Sequence, residues 1–225
     1  MLLTKFTHSC IRLEKSSADS AEPAVLVLDP GSFSEADQAL AGAQTVLITH
    51  EHQDHFDSKA LATALAAEGS ALQVWAPVGV AETLRSENPA AAERIHNAEP
   101  RQSFSAGGFE IRTFGGQHAL IHASIPMVAN VAYLVDDAVY HPGDSFTIPD
   151  GHNVEALLVP VHAPWSKSSE VIDFVLSVRA KQAFQMHDAL LNQLGLGLVE
   201  SHVGRLAATV GTTFRHLATL ESVEI

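Results

Sequence analysis

Three short apolar runs punctuate the chain: Ala24 to Leu28 (AVLVL), Gln44 to Ile48 (QTVLI) and Ala156 to Pro160 (ALLVP). Each is rich in Val and Leu and bounded by turn residues, the pattern of a strand buried on both faces. A polar loop bearing Asp or His follows each run. Helical spacing lies between them. Asp57 can cap a segment that places Ala60, Leu61, Ala64 and Leu65 on one face, and Ser168 precedes Val171, Ile172, Val175 and Leu176. A third helix is expected over about residues 198–214, with Leu198, Val199, Val203, Leu206 and Val210 inward.

Between Gln102 and Val139 the period shortens toward hairpins. Phe104, Gly107-Gly108 and Phe109, Ile111 and Thr113 form one pattern, and Val131 to Val135, Asp136-Asp137 and Ala138 to Tyr140 form a second. Gln182 to Met186 reads as a further strand, whereas the alanine- and charge-rich stretch from Asn88 to Pro100 reads as a surface excursion. Strands mixed with helices predict an α/β layered sandwich. No Pro-rich or Gly/Ser-rich linker and no internal repeat divides the chain, so residues 1–225 are expected to form one domain.

Composition narrows the partners. With 13 Lys plus Arg against 26 Asp plus Glu, the net charge is 13 − 26 = −13, which repels phosphate backbones; no nucleic-acid partner is expected. The single cysteine, Cys10, excludes an internal disulfide and reads as a small buried residue. The first residues lack a signal-peptide pattern and the apolar runs are too short to span a bilayer, so a cytoplasmic chain with no membrane association is expected. A homo-oligomer is compatible with the sequence. The anomaly is histidine: there are 13, several of them just after expected strands.

The densest group is His50-Glu51-His52-Gln53-Asp54-His55, directly after a buried strand. In extended backbone His50 and His52 project to the same side, and a turn then lets Asp54 and His55 face a second point beside them. Imidazole with carboxylate suits zinc, manganese, iron or nickel rather than calcium.

His50-x-His52-x-Asp54-His55 resembles the HxHxDH signature of the metallo-β-lactamase superfamily, and the likeness extends over nearly the whole chain. The resemblance implies a four-layer αββα sandwich with a dinuclear site along one edge of its sheets. It also implies further ligands after later strands. His118, in Gly115-Gly116-Gln117-His118, matches one position, with His122 as its competitor. Asp144, in Gly143-Asp144, matches the bridging carboxylate, and His187 matches the last ligand. Phe6-Thr7-His8-Ser9 and Asp29-Pro30 resemble segments of a branch that includes ascorbate-phosphate lactonases. There His8 would line the site and act with Asp54 in catalysis, and Asp29 would orient a ligand imidazole. His162 and Trp165, in His162-Ala-Pro-Trp165-Ser-Lys167, are the candidate substrate contacts, with Trp165 equally able to be ordinary packing.

On this reading His50, His52 and His118 hold one divalent ion and Asp54, His55 and His187 the other, with Asp144 between. Zinc is the expected metal, and manganese, nickel or iron fit the same donors. Two ions roughly 3.5 to 4 Å apart would supply a bridging hydroxide at neutral pH. The expected function is therefore hydrolysis of a small molecule: a lactone, an ester or a phosphorylated metabolite. A phosphodiesterase or nuclease and a diiron redox or sensing module are the alternatives.

Overall fold

The computed structural model describes residues 1–16 and 22–225. Two seven-stranded sheets face each other, with helices outside both. The first sheet takes β1 (Leu2–Lys5), β2 (Ile11–Lys15), β3 (Ala24–Leu28), β4 (Thr45–Leu47), β5 (Gln73–Ala76) and β6 (Ile95–Asn97) in chain order. It carries α1 (Ala36–Leu40), α2 (Ser58–Ala66) and α3 (Val78–Glu87) on its outer face. The second sheet takes β7 (Ser103–Ala106), β8 (Phe109–Gly115), β9 (Val131–Val135), β10 (Val139–His141), β11 (Ala156–Pro160), β12 (Gln182–Met186) and β13 (Thr213–Arg215). Outside it lie α4 (Ser168–Val178) and α5 (Gln193–Ala207). The last strand, β14 (Ser222–Glu224), returns to the first sheet and pairs with β1. This is the αββα sandwich that the family resemblance implies.

The strand period of two sorts alternate residues into different cores. Leu26, Leu28 and Leu47 point between the sheets, while Val27, Val46 and Ile48 pack against α2 and α3. In the second sheet Leu158, Phe184 and Met186 point inward, while Leu157, Val159 and Ala183 meet α4 and α5. Runs such as AVLVL are thus uniformly apolar because both faces are covered. Tyr133 joins the sheets: its buried hydroxyl donates to the Ile48 carbonyl at 2.9 Å, so the polar group crosses the core satisfied.

Local signals hold at several ends. The Asp57 carboxylate accepts from the amides of Lys59 and Ala60 and caps α2. Asp136 and Asp137 both take positive φ in the β9–β10 hairpin, as a tight two-residue turn demands. Two expectations need correction. The third helix begins at Gln193, where the Asn192 side chain caps it, and ends at Ala207; Leu198 is exposed, because the buried face runs through Val203 and Ala207. The stretch from Asn88 to Pro100 is no mere excursion, since a 3₁₀ turn over Pro89–Arg94 leads into the edge strand β6, parallel to β5.

Candidate metal centre

The predicted site residues gather at one edge of the two sheets. His8 follows the carboxyl end of β1, Asp29 that of β3, and His50 to His55 that of β4. His118 follows β8, Asp144 follows β10, His162 and Trp165 follow β11, and His187 follows β12. Within each sheet these strands run the same way, since the antiparallel intruder, β2 in one and β9 in the other, sits between two of them. Loops at the carboxyl edge of an α/β sheet are where such folds place their sites.

Their donor atoms form two groups, each with members within 4.8 Å of one another: His8, Asp54, His55 and His187, and His50, His52, His118 and Asp144. After β4 the chain bends at Glu51, and the His52 carbonyl then receives the amides of His55 and Phe56 at 3.0 Å. That turn carries Asp54 and His55 to the other side of His50 and His52. Asp144 stands between the groups. Its Oδ2 lies 3.2 Å from Nε2 of both His118 and His187, and its Oδ1 lies 3.0 Å from Nε2 of His55. His187 Nε2 also lies 3.4 Å from Asp54 Oδ2.

These contacts are close without being hydrogen bonds. His118 Nε2, His187 Nε2 and Asp144 Oδ1 are buried and lack a partner in hydrogen-bonding geometry, which is costly for an isolated polar atom. Atoms aimed past one another at a common point are what a cation-binding donor set presents. The residues present therefore fit a pair of divalent ions.

The opposite ring nitrogens fix the tautomers. His55 Nδ1 donates to Asp29 Oδ2 at 2.7 Å, His187 Nδ1 to the His162 carbonyl at 2.7 Å, and His118 Nδ1 to the Ala119 carbonyl at 2.5 Å. The Thr49 hydroxyl donates to Asp29 Oδ2 and so accepts from His50 Nδ1 at 2.9 Å. Each Nε2 then faces the cluster as a lone pair, that of His50 accepting from His52 Nδ1 at 3.1 Å and that of His55 from the Ser9 hydroxyl at 3.3 Å, while those of His118 and His187 have no partner. His8 is reversed. Its Nδ1 accepts from the Ala189 amide at 3.3 Å, so Nε2 carries the proton and donates to Asp54 Oδ2 at 3.1 Å.

The electrostatics match this arrangement. Burial would raise the Asp144 carboxyl, but the His55 charge with His118 and His187 holds it well below the usual range. Burial opposes charge on His55, yet Asp144 and Asp29 keep its pKa well above normal. Burial opposes charge on His187 too, and the adjacent Asp144 and Asp54 carboxylates outweigh that and raise it to about 9. His50, chiefly desolvated and facing the His55 charge, is held neutral. The Asp144 and Asp54 carboxylates thus favour positive charge among the surrounding imidazoles, whether a proton or a cation supplies it.

Backbone strain is concentrated at the same edge. His8, Asp29 and His187 all adopt the left-handed region, at φ of 64°, 48° and 58°. A Cβ on Gly31 would strike the Asp54 carbonyl, and one on Gly143 would strike Asn130 and Thr49, so both close approaches require glycine. Sequence reasoning missed Asn130, whose side-chain oxygen accepts from the Asp144 amide at 3.0 Å while its amide group donates to the Pro142 carbonyl. It also missed the relay through Thr49. A lone Asn before a strand offers no signal for either role.

Other expectations shift. Trp165 is buried, and its indole N–H donates to Asp144 Oδ2 at 3.0 Å. It holds a site residue instead of offering a free stacking face. His162 contributes its carbonyl to His187. His122 lies outside both groups, exposed and bonded to Ser124, because the chain turns away after Ala119. Lys167 faces solvent beside Glu170.

Comparison with known proteins places the chain in a family. The chain is 33% identical over 222 residues to the Mycobacterium tuberculosis protein Rv0786c, covering 96% of each. Among solved structures it is similar in fold to Igni18, a metallo hydrolase of Ignicoccus hospitalis (TM-score 0.70, 16% identity, 99% and 97% of the two chains). It is also similar to CmlA, a diiron β-hydroxylase of Streptomyces venezuelae (TM-score 0.68, 14% identity), of which it matches 54%. The family model described as the beta-lactamase superfamily domain matches residues 2–187, and the chain belongs to that superfamily.

Proposed function

We propose that this protein is a metal-dependent hydrolase of a small molecule, with His50, His52 and His118 holding one divalent ion, Asp54, His55 and His187 the other, and Asp144 shared. The observation that carries this reading is the convergence of buried Nε2 lone pairs on Asp144 without hydrogen-bond geometry. Zinc best suits a set of five imidazoles and two carboxylates. When bound, such ions polarise a carbonyl or phosphoryl oxygen and let water ionise near neutral pH.

The chain's own residues complete the chemistry. Asp54, with a protonated His8 nitrogen at 3.1 Å, is placed to take up a proton and pass it to a leaving atom. Asp29, through His55 directly and through Thr49 to His50, sets the orientation of one imidazole in each group. Trp165 and Asn130 fix the Asp144 carboxylate and backbone.

Asp144→Ala tests the proposal. It should lower the bound metal from about two ions per chain and reduce turnover of a lactone, ester and phosphodiester panel by about a thousandfold or more. Unchanged metal content and turnover would overturn it. CmlA shows that a related fold serves a diiron enzyme. Elemental analysis with an optical spectrum separates that chemistry from hydrolysis, iron with a visible redox band being the contrary result.

A further inference from the structure

The cleft beside the candidate centre is narrow, about 10 Å³, and is lined by His52 and His118 on one side and on the other by apolar residues of the loop 119–128, among them Leu120, Ile125 and Met127, whose outer faces stay open. These three side chains are 58%, 45% and 47% exposed. The loop is not a loose excursion, since its neck is pinned by His118 N to the Val128 carbonyl at 3.1 Å and Gly116 N to the Asn130 carbonyl at 2.9 Å. A fixed loop that keeps three large apolar groups in water beside a polar cluster calls for something that covers them. On the opposite flank Phe33, 37% exposed, packs edge-on to the His8 ring at 5.3 Å.

Few cations bond at the same place among the described residues. Among the described residues Lys5 alone forms a bond beside the cluster, and its buried ammonium is spent on the carbonyls of Phe6 and His8 and on Asp188. Lys167 is turned to Glu170. Among the described residues no other lysine or arginine head group bonds to a residue of the cluster, and the net charge of −13 repels a phosphate at long range.

We propose that the substrate is an uncharged ester or lactone bearing an alkyl or acyl chain, and that Leu120, Ile125 and Met127 receive that chain. This rests on the hydrolase reading above and sets aside a phosphorylated metabolite as substrate. The reactive carbonyl would lie over His52 and His118, and the chain would run out along the loop, covering its apolar side chains.

The test uses metal-loaded protein in two assays. One is hydrolysis of 4-nitrophenyl esters of straight-chain acids from two to ten carbons, with 4-nitrophenyl phosphate in parallel. The other is equilibrium binding of alkyl hydroxamates over the same lengths. Partial burial of each methylene should raise kcat/KM and hydroxamate affinity about twofold, giving about sixtyfold between the acetyl and octanoyl members. In the triple variant Leu120→Ser, Ile125→Ser, Met127→Ser that ratio should fall close to one. Ester turnover with no dependence on length overturns this inference while leaving the hydrolase reading intact, and so does preferred cleavage of the phosphate. Length-dependent hydroxamate binding without turnover of any compound does the reverse. Concentration-dependent self-association that the triple variant abolishes, with length dependence unchanged, would reassign the loop to an interface between copies and overturn the proposal.

Discussion

By distance alone the two donor groups look alike, four donors each within 4.8 Å; by hydrogen bonding they differ. In the group of His50, His52, His118 and Asp144, no imidazole donates to a carboxylate, and the one inward proton its bonds require is on His52 Nδ1, 3.1 Å from the His50 Nε2 lone pair. His50 and His118 are committed the other way by Thr49 and Ala119. In the group of His8, Asp54, His55 and His187, only His55 and His187 are so committed, while His8 presents its N–H to Asp54. The first group also borders the apolar cleft, whereas the second is closed behind by Asp29 and by the N-terminal loop held by Lys5. Proximity therefore does not make a ligand. The partner of the far ring nitrogen decides whether an imidazole offers a lone pair or a proton.

The sharpest way to break this distinction is to compare His187→Ala with His8→Ala. The first should lose about one ion per chain. The second should keep both ions and lose about a hundredfold in turnover, the usual cost of removing a positioned proton donor. Elemental analysis showing equal metal loss in both would make His8 a ligand after all. A smaller effect is expected behind His55. Asp29→Asn keeps the shape but removes the charge that orients His55, and should weaken metal binding about tenfold to a hundredfold in a chelator competition. An affinity within twofold of the parent would detach Asp29 from the centre. The smallest effect belongs to Cys10, two residues from His8. Burial pushes its thiol up to about 12, so it stays protonated at working pH and offers neither a nucleophile nor a ligand. Cys10→Ala should cost about 1 kcal/mol in a denaturant melt and leave turnover within about twofold.

Sequence made the layers legible because pattern and burial coincide. AVLVL and ALLVP are strands over Ala24–Leu28 and Ala156–Pro160, covered on both faces, and Asp57 caps its helix as its chemistry dictates. Edge elements escaped for the converse reason. In β6 only Ile95 is buried, so three residues carry no readable period. On α5 Val199 and Val203 face the core as expected, but Leu198 points to water, so its apolar character misplaced the start of the buried face. The centre shows the same divide. The motif His50 to His55 and the later His118, Asp144 and His187 are visible as residue types after strands. Ring orientation is not, because Ala189, Ala119 and the His162 carbonyl act through backbone that any residue carries. Trp165 was legible as a residue of the rim, but its N–H bond to Asp144 depends on a meeting of loops 21 positions apart.

The pairing of β14 with β1 has a consequence for the order of events during synthesis. Leu3 lies opposite Val223, and the Lys5 backbone exchanges hydrogen bonds with Leu220 and Glu221. Until those late residues leave the ribosome, β1 is an unpaired edge, and the arm bearing His8 lacks its clasp. The proton-bearing wall of the centre is thus completed after the motif His50 to His55 has already folded onto β4. Closing a contact across more than two hundred residues is a slow, high-contact-order step. Metal capture by the earlier ligands and the onset of activity should therefore be separable in time as the nascent chain emerges.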